Sequence, residues 1–149
     1  ASLAVVNAII EQGTEEVVVA NRTREKAEQL RNRFGARVTP IEWHEIPDRL
    51  AACSLLVNTT SLGMTGQPEL DIDLSQLSER ALVTDIVYTP LRTKLLKEAA
   101  MRGNTVVDGL GMLLHQAVRG FSLWFGVTPQ VTDELHDLVA RDIDPEFSR

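Results

Sequence analysis

Cysteine is nearly absent from this chain: Cys53 stands alone among 149 residues. No internal disulfide can form, and a reduced, cytoplasmic setting is expected. Because it lies in an apolar stretch, Cys53 reads as a small core residue rather than a nucleophile. The three histidines, His44, His115 and His136, have no ligand partners at metal-binding spacing, so no metal site is expected. No apolar run approaches the roughly 18 residues that a membrane helix needs. The apolar start, residues 1–10, lacks a basic n-region and a cleavage-like site, so no signal peptide is expected. A net charge of −6 argues against nucleic acid or an anionic membrane as the main partner. Repeats and low-complexity tracts are missing as well.

What is present is a core. Hydrophobic residues make up 44% of the chain and fall in periodic blocks, in a length typical of one domain. Helical and strand patterns alternate, the signature of a parallel sheet covered by helices on both faces. Ala4, Val5, Ala8 and Ile9 have helical spacing, closed by Gly13. Residues 17–20 and 54–58 read as strands buried on both faces. Thr23 is the expected N-cap of a helix carrying Ala27, Leu30 and Phe34 and stopped by Gly35. A short strand at 37–41 is interrupted by Pro40, and 45–52 reads as a short helix. Residues 59–73, with Gly63, Gly66 and Pro68, must be a loop. Strands follow at 82–87 and 105–108, and helices at 93–102 and 109–125. Thr128 is the expected cap of a last helix reaching about residue 142. Right-handed crossovers would make this a Rossmann-like, doubly wound, mostly parallel sheet.

Four segments carry chemistry. Asn21-Arg22-Thr23 directly follows the apolar run 17–20. In a dinucleotide-binding unit the end of the second strand meets the adenosine ribose. An acid there takes a free 2′-hydroxyl, whereas an Arg accommodates a 2′-phosphate. No acid stands at 21 or 22; Arg22 is there, joined one turn on by Lys26. Free backbone N–H groups and the helix dipole already favour an anion at that place. The segment reads as NADP rather than NAD, the alternative being a solvated basic helix start. Arg24 and Glu25 of the same turn are expected to face solvent.

Residues 58–64, Asn-Thr-Thr-Ser-Leu-Gly-Met, form a polar loop at the carboxyl end of a strand, where open α/β sheets bind ligands. The loop lines a cofactor or is an ordinary turn. Asp85-Ile86-Val87-Tyr88-Thr89-Pro90-Leu91 ends another strand. Ile86 or Val87 offers an apolar wall suited to a nicotinamide face, and Tyr88 a phenol for a polar substrate or a half-buried core ring. Pro90 locks φ in the turn. In Asp108-Gly-Leu-Gly-Met-Leu-Leu-His-Gln, Gly109 and Gly111 allow close approach of a ligand to backbone. Gln116 lies one turn after Met112 on the same face, and His115 reads as structural or surface.

Together these segments resemble the C-terminal, NADP-binding domain of shikimate dehydrogenases. The matching pieces are Asn-Arg-Thr-x-x-Lys-Ala-x-x-Leu at 21–30, the 58–63 loop, Asp-Ile-Val-Tyr-x-Pro at 85–90, and Asp-Gly-Leu-Gly-Met-Leu-x-x-Gln at 108–116. The tail at 121–129, with Leu-Trp-Phe-Gly-Val-x-Pro, is similar too. The resemblance implies that Asn21, Arg22, Thr23 and Lys26 hold the 2′-phosphate of NADP and that Thr60 and Ser61 lie near the cofactor. It further implies that Ile86, Gly109 and Met112 border the nicotinamide, while Tyr88 and Gln116 reach shikimate. The implied reaction is reversible hydride transfer between NADPH and 3-dehydroshikimate, a step of aromatic amino-acid biosynthesis.

The chain departs from the family in what precedes Ala1. The family's Gly-x-Gly-Gly loop and the strand feeding it would stand there, as would a substrate domain with a Lys and Asp catalytic dyad. Lys94 and Lys97, on an expected outer helix, do not replace that dyad, and Leu3 stands where the family often has Arg. The expectation is an N-terminally truncated cofactor domain, inactive alone, whose partners are a substrate domain in cis and, left open, a homodimer. A missing central strand leaves ladder edges unpaired and a groove in the core, each costing on the order of several kcal/mol. Poor stability, element swapping or a rearranged sheet are expected, without the amides that cradle pyrophosphate. Two other readings stay open: a non-catalytic nucleotide-binding or interaction module on the same fold, and a quinate/shikimate dehydrogenase. An NAD-using form of the latter would be expected to carry an acid near position 21 or 22. Glutamyl-tRNA reductases share an Asn-Arg-Thr-like segment, but the 108–116 motif argues against them.

Overall fold

The computed structural model describes residues 1–147. In chain order the elements are α1 (Ser2–Glu11), β1 (Val17–Ala20), α2 (Arg24–Phe34), β2 (Val38–Ile41), α3 (Ile46–Leu50), β3 (Leu55–Asn58), β4 (Leu82–Asp85), α4 (Lys94–Met101), β5 (Thr105–Val107), α5 (Leu110–Phe125) and α6 (Asp133–Ile143). Every ladder is parallel, and the fold is Rossmann-like α/β. The described residues form two compact units, 1–53 with 72–78 and 54–71 with those from 79 on.

In the first unit β1 pairs with β2, Val17 opposite Val38 and Ala20 opposite Ile41. The pattern of α2 explains its packing: Ala27 and Leu30 are buried, one turn apart, while the charged residues between them stay out. Val6, Leu30 and Val38 form the core, with Ile10, Val17, Val19 and Phe34 packed against it. Pro40 sits within β2 opposite Val19, which is tolerated because β2 is an edge strand and has no second ladder to serve. Glu42 and Glu45 close a capping box around the 3₁₀ turn that leads into α3.

In the second unit β4 is central, with β3 on one side and β5 on the other. Its burial alternates with period two, Val83 and Asp85 being buried. Leu95, Leu96 and Ala99 turn one face of α4 inward, and Thr93 caps that helix by accepting from Leu96 N. Leu91, Leu110 and Ala140 form a further core with Leu113, Leu114, Val139, Ile143 and Phe147.

Several expectations need correction. β1 and β3 are half-buried along most of their length, not buried on both faces, because each has a strand on one side only. The pairing explains this. Among the described residues the ladders are β1-β2 and β3-β4-β5, and β1 and β3 each form the edge of one of them. The last helix is capped by Thr132, not Thr128. Thr132 Oγ1 accepts from Leu135 N at 3.2 Å, and Asp133 and Glu134 occupy the first turn. Thr128 Oγ1 instead accepts from Ser122 Oγ. Cys53 is half-buried. The strand expected at 82–87 stops at Asp85, whose side chain takes the Val87 N–H and turns the backbone away.

The end of α5 is apolar and exposed: Leu123 is 76% and Trp124 80% accessible, and Phe125 and Val127 are exposed beside them. Among the described residues no helix is long and apolar enough to cross a membrane.

Candidate functional site

Each unit carries part of the expected site. In the first, β1 runs out at Ala20, and Asn21 makes an Asx turn in which Oδ1 accepts from Thr23 N at 2.9 Å. Thr23 takes the N-cap position of α2, yet its side chain makes no capping bond. The helix start therefore keeps donors for another acceptor. Three cations crowd this turn, and the structure separates them. Arg24 faces solvent as expected, and there it is engaged by Glu42 and by Glu28 at 3.2 Å. The hydrogen bond to Glu42 is the main cause of a guanidinium pKa above its ordinary value. Arg22 and Lys26 are exposed, and their side chains make no hydrogen bond or ion pair among the described residues. The free cations are thus the two that the sequence singles out.

In the second unit the carboxyl ends of neighbouring strands lie in register, Asn58 opposite Asp85 and Thr84 opposite Val107. The three loops that follow start side by side and are tied together by backbone. Ile86 N donates to Asn58 O at 3.1 Å, Gly109 N to Val87 O at 3.2 Å, and Thr65 N to Thr89 O at 2.9 Å. Ile86 is half-buried and Val87 buried, so Ile86 is the one able to offer an apolar surface. Tyr88 and Met112 are each 37% exposed, and Ser61 and Gln116 are exposed, while Thr60 is half-buried.

Gly109 is the tight point. A Cβ built on it would lie 2.2 Å from Ile86 O and 2.7 Å from Val87 O, so no other residue fits. Gly111, like Gly109 expected to allow close approach of a ligand, has open space around its Cβ position. The structure therefore brings Ile86 and Gly109 into direct backbone contact. Asp108 Oδ1 accepts from Leu110 N at 3.1 Å and sets the start of α5.

Sequence reasoning gave Asp85 no role, yet it is fully buried. A lone acid inside Leu-Val-Thr-Asp-Ile-Val was the available signal, since a buried carboxylate needs donors. Among the described residues no group of His, Cys, Asp and Glu could hold a metal.

The sequence matches the family model described as Shikimate / quinate 5-dehydrogenase over residues 1–65, and the one described as Shikimate 5'-dehydrogenase C-terminal domain over 109–133. A shikimate dehydrogenase (NADP(+)) of Rhodopseudomonas palustris is 57% identical over 145 residues, covering 97% of this chain and 52% of the relative. The chain spans about half the length of the curated relatives it matches. Among solved structures, a quinate dehydrogenase from Corynebacterium glutamicum in complex with NAD has a TM-score of 0.80 at 33% identity, covering 92% of this chain and 50% of that one. Shikimate 5-dehydrogenase from Thermus thermophilus, in complex with NADP(H) and shikimate, has a TM-score of 0.76 at 34% identity, covering 94% and 50%. The ladders, the strand-end loops and these matches agree, and the chain belongs to the shikimate dehydrogenase family.

Proposed function

We propose that this chain is the coenzyme-binding part of an NADP-dependent shikimate dehydrogenase. The observation that carries the choice of coenzyme is the pair of unpartnered cations, Arg22 and Lys26, beside an uncapped helix start. Arg22 presents a planar fork to the adenosine 2′-phosphate, Lys26 adds a point charge, and Asn21 and Thr23 shape the turn that offers them. Bound NADPH would supply the hydride. The chain's own residues would orient it: Thr60 and Ser61 line the coenzyme, and Ile86, Gly109 and Met112 border the nicotinamide. Tyr88 and Gln116 would reach shikimate or 3-dehydroshikimate. The chain contributes no catalytic acid or base, so turnover would belong to the intact protein with a substrate domain in cis. The exposed apolar end of α5 supports a partner surface, taken up by that domain or by a second copy in a homodimer. A cytoplasmic setting fits the lone Cys53.

Replacing Arg22 by Ala in the full-length protein tests this. Losing a charged hydrogen bond of about 1.5–3 kcal/mol raises KM for NADPH about 10- to 100-fold. KM for shikimate changes little, and Arg24→Ala, already neutralised by Glu28 and Glu42, stays within about a factor of three. An unchanged KM for NADPH, or equal use of NADH by the native protein, would discard the coenzyme reading. A second reading, quinate oxidation with NAD, is favoured by the likeness to the Corynebacterium enzyme. It meets the absence of an acid at 21 and 22.

A further inference from the structure

We infer that Asp85 is a positioning residue, whose single buried carboxylate sets the shape of the coenzyme-facing 58–62 loop and of the Ile86–Val87 turn together. The inference rests on the coenzyme reading of those loops. Asp85 and Asn58 end neighbouring strands opposite one another and are 0% and 4% exposed. Asp85 Oδ1 accepts from Asn58 Nδ2 and from Val87 N, each at 3.0 Å. Its Oδ2 accepts from Thr93 Oγ1 at 2.8 Å. One side chain thus holds the end of β3, the turn after β4 and the cap of α4.

The control passes onward through polarity. A carboxylate only accepts, so Asn58 must turn its NH₂ group towards Asp85 and its carbonyl oxygen the other way. That oxygen accepts from Thr60 N at 3.0 Å and Thr60 Oγ1 at 2.8 Å. With its proton committed, Thr60 Oγ1 presents a lone pair to Leu62 N at 3.0 Å. The remaining proton of the Asn58 amide goes to Leu62 O, also at 3.0 Å. Each link has one consistent direction, and the direction originates at Asp85. In a water-poor interior such a chain holds a loop in one conformation, and a half-satisfied version of it is costly. Two residues beyond Asp85, Val87 O accepts from Gly109 N, so the same anchor also fixes the height of the Ile86–Gly109 contact.

Asp85→Asn in the full-length protein is the test, because volume is kept and polarity is lost. The new oxygen must still serve Asn58 and Val87, so the new NH₂ group faces Thr93, whose hydroxyl proton then has no acceptor. The readouts are kcat, KM for NADPH, and affinity for 2′,5′-ADP, which carries the adenosine 2′-phosphate without a nicotinamide. We expect kcat to fall about 10- to 100-fold at temperatures well below the unfolding midpoint, the cost of a displacement near 1 Å at reacting groups. Affinity for 2′,5′-ADP should not change. Unchanged kcat overturns the inference. So does a loss of kcat and 2′,5′-ADP affinity in step with the unfolded fraction, which marks a purely structural role. If the native protein fails to bind 2′,5′-ADP, the coenzyme reading falls and takes this inference with it. Where Asp85→Asn does not accumulate, Thr60→Val cuts the chain one link downstream. The same selective fall in kcat is expected there, and its absence overturns the inference.

Discussion

Gly109→Ala puts the strand-end architecture to its most direct test. The added Cβ would stand 2.2 Å from Ile86 O, 2.4 Å from Ile86 C and 2.7 Å from Val87 O. Carbon and carbonyl oxygen approach comfortably at about 3.3–3.6 Å, so roughly 1 Å of movement is required. All three obstructing atoms are backbone, and no rotamer change relieves them. Overpacking of this kind costs about 1–3 kcal/mol. The Gly109 N to Val87 O bond, already 3.2 Å long, is the first to break and adds about 1 kcal/mol. A total of about 2–4 kcal/mol lowers the thermal midpoint by roughly 4–16 °C. The displacement also separates Ile86 from the start of α5, so kcat at saturating NADPH should drop about 100-fold. Thermal unfolding and steady-state kinetics on the full-length protein measure both. A variant with the native midpoint and native kcat would refute the reasoning, since it would mean that the two backbones are not in contact.

Two further outcomes follow from the caps and charges. Thr132→Ala removes the Oγ1 that accepts from Leu135 N and should lower stability by about 1 kcal/mol, whereas Thr128→Ala should not, as denaturant titration would show. Lys94 Nζ donates to Asp71 Oδ1 at 2.7 Å, and that bond raises its pKa above the usual 10.5. A raised cationic pKa contributes fully below the unfolded value and fades only as pH climbs through the folded one. The difference in thermal midpoint between the native protein and Lys94→Met should therefore be the same at about pH 6 and about pH 9. A difference that changes across that window would count against the pair.

Elements with strong periodicity were legible in the sequence, and so were their stops. The helix of Ala27, Leu30 and Phe34 runs from Arg24 to Phe34 and ends at Gly35, whose φ of 71° needs glycine. Val17–Ala20 was read to the residue. The apolar composition of β1 and β3 does not report how many neighbours a strand finds, so their half-exposed state was hidden. The cap of α6 was misread because Thr128 and Thr132 are the same residue type. The acids Asp133 and Glu134 after the second were the better signal. Arg22 and Lys26 were visible from composition and spacing. That Arg24 is taken out of contention was not, since its partner Glu42 is 18 residues away in sequence. Asp85 was hidden for a similar reason: its three donors come from residues 58, 87 and 93.

Pro40 has a consequence for association. It gives β2 a position without an N–H, so a foreign chain laid along that border meets a gap in the hydrogen-bonding row. That outer border of β2 is therefore a poor template for backbone pairing with another chain.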